Sequence, residues 1–147
     1  MTVKLHIPGE PQGKQRHRTT RSGHTYTPDK TRQYEEKVKA AYRLRYGDRM
    51  QWGGKIPLKI LVVAGYRIPK SASKRTKDAM QKGEISPMKK PDADNVLKVI
   101  ADSLNGLCYR DDAQIVDAEV HKYYTDQPGV DVMIWEKDDE EKRDDVS

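Results

Sequence analysis

The sequence is poor in cysteine and in hydrophobic residues, and both shortages narrow the classes of protein that it fits. Its single cysteine, Cys108, excludes an intramolecular disulfide framework and leaves no second thiol for a zinc cluster. One cysteine suits a reducing cytosol, and we interpret it as a small buried apolar side chain. Hydrophobic residues make up 35% of the chain, so we expect a thin core, part of which can come from a partner subunit.

Long apolar runs are also missing from the sequence. Nowhere do about 18 apolar residues follow one another, as a membrane-spanning helix requires. The N-terminal segment MTVKLHIPGE lacks the apolar stretch of a signal peptide. We therefore expect a soluble, cytoplasmic protein without a membrane partner.

The charge of the chain is unevenly distributed. Residues 1–136 carry 25 Lys and Arg against 17 Asp and Glu, whereas residues 137–147 carry 3 against 6. This division predicts a basic folded domain over 1–136 and an acidic, disordered tail over 137–147. A basic body is typical of proteins that bind phosphates, because neutralising the phosphates releases condensed counterions.

Hydrophobic periodicity predicts an α+β domain with the element order β-α-β-(α)-α-β-β. The first helix is expected to have Thr27 as its N-cap and Pro28 as its first residue. The third helix has an apolar stripe from Val96 to Leu104 and is expected to end at Asn105-Gly106. The predicted ranges are strands at 2–9, 56–68, 114–124 and 130–136, and helices at about 28–46, 71–82 and 94–104.

A cationic segment without hydrophobic periodicity, PQGKQRHRTTRSGHTYTP, joins the first strand to the first helix. We interpret it as a mobile loop. Four cations among eight residues favour contact with phosphates over a merely solvated loop. The predicted phosphate-contacting residues are Lys14, Arg16, Arg18 and Arg21.

Acidic residues cluster at both ends of the third helix, in K-P-D-A-D-N-V-L-K from Lys90 to Lys98 and in Y-R-D-D-A-Q-I-V-D from Tyr109 to Asp117. Asp92 and Asp94 lie two residues apart, so in an extended backbone their side chains point to the same side. Such a pair can bind a hard divalent cation such as Mg²⁺. Lys98 follows Asp94 by four residues, so if the helix begins near Asp94 both lie on one helical face. That position of the ammonium group suits contact with a scissile phosphate or its leaving oxygen.

The two segments resemble the RusA family of Holliday junction resolvases, in particular its phage-type branch. Members share D-x-D-N-x-x-K at the head of a helix and D-D-A-Q about 13 to 15 residues beyond the lysine. Here the first motif comprises Asp92, Asp94, Asn95 and Lys98, and the second comprises Asp111, Asp112, Ala113 and Gln114. A lysine-rich segment at about 70–90 and the acidic tail depart from the compact members of the family.

The resemblance implies a single domain with a mixed sheet of about four strands and two main helices. It also implies a homodimer that resolves four-way DNA junctions by paired nicks in recombination and repair, with Mg²⁺ or Mn²⁺ as cofactor. Asp92, Asp94 and Asp112 would bind the metal, and together with Lys98 they form the implied catalytic set.

Simpler interpretations exist for several of these residues. Asp-x-Asp-Asn alone is most often a helix cap, and Asp-Asp after a strand is most often a solvated turn. Asp111 is interpreted either as a metal ligand or as a residue that orients its loop. Asp102 and Asp117 are interpreted as ordinary polar residues, and Tyr26 and Tyr34 as packing groups.

Two other functions remain open on the sequence alone. One is a broader branched-DNA or flap endonuclease that uses the same site. The other is a non-catalytic DNA-binding accessory protein that has the basic surface without the activity.

Overall fold

The computed structural model describes residues 1–15, 18–26 and 28–139, and of Arg18 only the backbone. A short 3₁₀ turn, Asp112–Gln114, lies between the last helix and the last two strands. The remaining elements are β1 (Thr2–Pro8), β2 (Arg18–Thr19), β3 (Thr25–Tyr26), α1 (Asp29–Tyr46), β4 (Leu58–Arg67), α2 (Lys74–Gln81), α3 (Ala93–Leu104), β5 (Ile115–Thr125) and β6 (Gly129–Glu136).

Four strands form one mixed sheet in the order β1-β6-β4-β5, which confirms the α+β class. Strand β6 is antiparallel to both β1 and β4, and β4 is parallel to β5. A parallel pair requires a long crossover, and here the crossover contains α2 and α3. Strands β5 and β6 are consecutive in sequence, yet they are not neighbours because β4 lies between them.

The core lies between the sheet and the pair α1 and α3, which contact each other. In β1 the apolar residues Val3, Leu5 and Ile7 are buried and alternate with exposed residues, whereas the central strands β4 and β6 are buried along most of their length. On the helices, Tyr34, Val38 and Tyr42 of α1 and Ile100 and Leu104 of α3 are buried. Helix α2 lies apart and contacts β5, burying only Met80.

Several local predictions need correction. The loop predicted between β1 and α1 contains a two-residue hairpin, in which Arg18 pairs with Tyr26 and Thr19 with Thr25. Pro28 occupies the N-cap position of α1, so Thr27, which lies outside the described residues, is not the cap. Tyr34 is 5% exposed and packs as predicted, whereas Tyr26 is 47% exposed and does not. Of the predicted acidic tail, residues 140–147 lie outside the described part.

Cys108 is fully buried in the core, as its interpretation as an apolar side chain predicts. In the part of the chain that the structure describes, no helix combines the length and the apolar character needed to cross a bilayer.

Candidate active site

The first acidic motif lies at the N-terminus of α3. Asp92 is the N-cap residue, with extended backbone angles, and Asp94 lies in the first helical turn, where the helix dipole favours a negative charge. Because the helix begins at Ala93, Asp92 and Asp94 do not share an extended backbone, and the expectation that they point to one side for that reason is wrong. Asp94 and Lys98, four residues apart, do lie on one helical face, as predicted.

Two contacts fix the backbone that leads into this helix. The Tyr66 hydroxyl donates a hydrogen bond of 2.6 Å to the carbonyl oxygen of Pro91. On the other side, the loop after β1 packs so closely that a Cβ added at Gly13 would lie 2.9 Å from the Pro91 Cβ and 3.1 Å from the Asn95 Cβ. The start of α3 is thus held between strand β4 and the N-terminal loop.

The second acidic motif forms the 3₁₀ turn between α3 and β5, and its residues divide into two roles. The Asp111 carboxylate accepts a hydrogen bond from the Ala113 amide, and the Gln114 side chain accepts one from the Asp111 amide, so that the two form a capping box. Gln114 also donates to the Ile56 carbonyl oxygen at 3.2 Å, which ties the turn to the segment before β4. Asp111 therefore orients the turn, and Asp112 projects from it.

The two motifs meet in one cavity of about 340 Å³ between α3 and β5. Asp94 and Lys98 of α3 line it together with Asp112, which follows Lys98 by 14 residues in the chain. The other lining residues are Leu97, Ala101, Asp102, Ile115 and Ala118.

Asp102 was interpreted as an ordinary polar residue from the sequence, and the structure corrects this interpretation. It lies in the same cavity, within hydrogen-bonding reach of Asp112. A signal for it was present in the sequence, because Asp94, Lys98 and Asp102 are spaced by four residues and therefore follow one helical face. Asp117 pairs with Lys59 at 3.2 Å and does not line the cavity.

Crowding of negative charge changes the proton affinity of Asp112. Partial burial, a hydrogen bond with Asp111 and the charge of Asp102 together raise the pKa of the Asp112 carboxyl above its ordinary value. A carboxyl whose pKa is raised by neighbouring carboxylates in a cavity is typical of sites that bind a cation or move a proton.

Lys14 lies beside this cluster and has internal partners. Its ammonium group contacts Glu35 at 3.1 Å and Asp102 at 3.2 Å, and its side chain is 15% exposed. Although burial lowers the pKa of Lys14, the hydrogen bonds to Glu35 and Asp102 outweigh that effect and raise it. The Lys14 amide also donates to the Asn95 carbonyl oxygen at 3.3 Å.

The other predicted site residues lie elsewhere. Asp92 does not line the cavity. Its side chain is 49% exposed, and its carboxylate pairs with the Lys90 ammonium group at 3.0 Å. Arg21 is exposed in the turn of the β2–β3 hairpin. Arg16 lies outside the described residues, as does the side chain of Arg18.

The donor set of the cavity is suited to a hard divalent cation. Within 1–15, 18–26 and 28–139, no three His, Cys, Asp or Glu side chains are close enough together to hold a metal ion by themselves. Mg²⁺, however, is commonly held by one or two carboxylates, with water and substrate phosphate oxygens completing the shell. Asp94 and Asp112 provide such a pair of oxygen donors, so the residues present fit this kind of ion.

Comparison with known proteins yields two similarities. Residues 8–135 match the family model described as endodeoxyribonuclease RusA. The chain is also 35% identical over 139 residues to the uncharacterized protein YqaN of Bacillus subtilis (strain 168), an alignment that covers 91% of this chain and 96% of that protein.

Proposed function

The chain belongs to the RusA family of endodeoxyribonucleases, and from that premise we propose that it is a Mg²⁺-dependent enzyme that cleaves four-way DNA junctions as a homodimer. The observation that carries the proposal is the meeting of Asp94, Lys98 and Asp112 in one cavity. Branched DNA is the proposed substrate, and recombination and repair are the proposed setting.

The proposed metal ligands are Asp92, Asp94 and Asp112, with Mn²⁺ as an alternative to Mg²⁺. When bound, a divalent ion polarises the phosphoryl group and acidifies its water ligands. Without a cation, Asp94, Asp102 and Asp112 would repel the DNA backbone, because all of them bear negative charge in the same small cavity. Asp92 would join the set by exchanging its contact with Lys90 for the ion.

Lys98 has the proposed role of contacting the scissile phosphate. It lies one helical turn after Asp94, lines the cavity and is exposed to solvent. Its ammonium group would bind a phosphate oxygen and stabilise the negative charge that develops during attack on phosphorus. Asp111 and Gln114 would serve this chemistry indirectly, by holding the turn that presents Asp112.

The proposed homodimer explains how one small site resolves a junction. A four-way junction has strands of like polarity related by an approximate two-fold axis, and an isologous dimer places one site on each. Each protomer would then cut one strand, leaving nicked duplexes that ligase can seal. Lys14, Arg16, Arg18 and Arg21 are proposed to contact DNA phosphates, with Lys14 also serving the internal contacts described above.

The substitution Asp94→Asn tests the proposed catalytic cavity. It removes one carboxylate charge while keeping the size of the side chain, so we expect cleavage of a synthetic four-way junction to fall at least about a hundredfold while junction binding persists. Asp138→Asn, at an exposed residue after β6, is the matched control and should cleave like the wild type.

The substrate panel separates the proposal from its rivals. Junctions, flaps and linear duplex are incubated with equal amounts of enzyme and Mg²⁺. Equal cleavage of flaps and junctions would point to a broader branched-DNA endonuclease. If the wild type binds DNA but cuts none of these substrates, the protein is a non-catalytic accessory factor and the proposal is wrong.

A further inference from the structure

The segment 70–90, which we call the cationic arm, concentrates positive charge on an exposed part of the molecule. It contains seven Lys or Arg residues against two acidic ones, a net charge of +5, and the charge of the whole chain is also +5. Six of its seven cations are exposed: Lys70, Lys74, Arg75, Lys82, Lys89 and Lys90. The arm therefore presents a group of exposed cations outside the catalytic cavity.

Three of these cations lie where the helix itself disfavours them. Lys74, Arg75 and Lys77 are in or next to the first turn of α2, which contains no acidic residue. The helix dipole makes a cation at that end of the helix unfavourable. Among the residues that the structure describes, none of the three forms an ion pair with an acidic side chain, so no described carboxylate compensates their charge.

The arm is nevertheless ordered and bound to the rest of the fold by hydrogen bonds and one buried side chain. Ser73 caps α2 by accepting a hydrogen bond from the Thr76 amide, and Met80 is buried. The Gln81 side chain donates to Asp126 at 2.8 Å, next to the end of β5. Near the other end of the arm, the Lys122 ammonium donates to the Lys89 carbonyl oxygen at 2.8 Å. The middle of the arm and its C-terminal end are thus attached to the second half of β5 and to the residue after it.

The arm leads directly to the first catalytic motif. Lys89 and Lys90 line a cavity of about 530 Å³ that also contains Lys14, Lys30 and Asn95. On β5, Ala118 lines the catalytic cavity, and the attachment points of the arm, Lys122 and Asp126, follow it by four and eight residues, which corresponds to about 13 and about 26 Å along the strand. Both distances are shorter than one turn of a DNA duplex, about 34 Å, so one duplex arm can reach the cavity and the cationic arm together.

We propose that the cationic arm is a second DNA-contact surface, in which Lys74, Arg75 and Lys77 bind the phosphate backbone of a duplex arm outside the catalytic cavity. The inference rests on the proposed function, since it takes DNA as the substrate. Phosphate oxygens offset the unfavourable position of the three cations at the helix start, since both the helix end and the side chains attract anions. The contact adds affinity without sequence preference.

The test compares two triple variants of equal charge. The arm variant is Lys74→Gln, Arg75→Gln, Lys77→Gln. The control variant is Lys4→Gln, Arg49→Gln, Lys137→Gln, which removes two lysines and one arginine that are exposed and line none of the cavities described above. Binding to a four-way junction is measured in chelator over a range of salt concentrations, so that no cleavage occurs.

The expected result is a lower salt dependence in the arm variant alone. Each lost phosphate contact reduces the slope of log K against log[salt] by about 0.9, so three contacts reduce it by about 2.7. The control should keep the wild-type slope within about 0.5. The thermal midpoint of the arm variant should equal or exceed that of the wild type, because its helix start has lost unfavourable charge.

Two outcomes overturn the inference: an unchanged slope in the arm variant, or an equal loss in the control, which would indicate a general charge effect. An acidic protein partner for the arm would also leave the slope for DNA unchanged. Failure of the proposed function is distinguishable, because it would appear as a wild type that does not cut junctions in Mg²⁺, whatever its binding slope.

Discussion

At the scale of single residues, Asp112 shows that the candidate site lowers the stability of the folded protein at neutral pH. Its pKa is raised by partial burial, by Asp111 and by Asp102, so ionising it is less favourable in the folded state than in the unfolded chain. The folded protein is therefore relatively favoured below the ordinary pKa of aspartate. That advantage is lost as pH rises from the ordinary pKa through the raised one.

The substitution Asp112→Asn should consequently stabilise the protein at neutral pH. The amide has no charge to place beside Asp102 and Asp111, so we expect the thermal midpoint at pH 7, without metal, to rise by a few degrees. The difference from the wild type should shrink as pH falls below the ordinary pKa of aspartate. A lower midpoint for the variant at pH 7 would contradict this account of the site.

Asp102 gives a second prediction at this scale. If its carboxylate belongs to the cation-binding cavity, Asp102→Asn should weaken Mn²⁺ binding about tenfold, as measured by calorimetry without DNA, and should slow junction cleavage. Asp117→Asn is the matched control, since both aspartates pair with a lysine at 3.2 Å but only Asp102 lines the cavity. Equal Mn²⁺ affinity in the two variants would show that Asp102 is only structural.

The sequence predicts part of this site well and part of it poorly. Asp94, Lys98 and Asp112 could be predicted because they belong to spaced motifs whose order is informative. Asp102 was missed because one Asp on a polar helix face is ordinary, and only the packing of α3 against β5 places it beside Asp112. The partners of Lys14 were also not predictable, because a loop cation is attributed to solvent or DNA unless the tertiary contacts with Glu35 and Asp102 are known.

At the scale of elements, the N-terminal loop positions helix α3 by close contact. Gly13 lies against Pro91 and Asn95, and the next residue, Lys14, is bound to α3 through its amide and its ammonium group. The loop is therefore part of the site's support, although it has no periodic structure of its own.

Gly13→Ala should disturb that support. The added methyl group would lie 2.9 Å from the Pro91 Cβ, which cannot move independently of the backbone. We expect a loss of about 1–3 kcal/mol in the free energy of unfolding and a fall in cleavage rate. Gly23→Ala, at a glycine with open space around it, is the comparison for the steric effect; its positive φ adds a strain of its own. Normal stability and activity in Gly13→Ala would mean that the loop does not set the position of the motif.

The elements themselves show what periodicity can and cannot predict. Strands β1 and β4 and helices α1 and α3 are long and strongly patterned, so their existence and type were predictable from sequence. The hairpin of β2 and β3 was missed because it buries no apolar face. The order β1-β6-β4-β5 was also out of reach, because a strand pattern does not indicate which neighbour will pair with it.

At the scale of the whole molecule, negative and positive charge lie in different regions of the surface. Negative charge is gathered in the cavity between α3 and β5, and positive charge lies around the start of α3 and on the cationic arm. The excess of basic residues was evident from composition, whereas the separation of an acidic cavity from its basic surroundings required the fold. A second protomer would duplicate this arrangement and provide the second cut that resolution requires.

The most direct test of the central claim is the incision of a synthetic mobile four-way junction, labelled in turn on each strand. With Mg²⁺, the account predicts paired nicks in two opposing strands, products that ligase seals, and no cleavage when chelator replaces the metal. Cleavage that persists in chelator, or an intact junction at saturating enzyme and Mg²⁺, would contradict it.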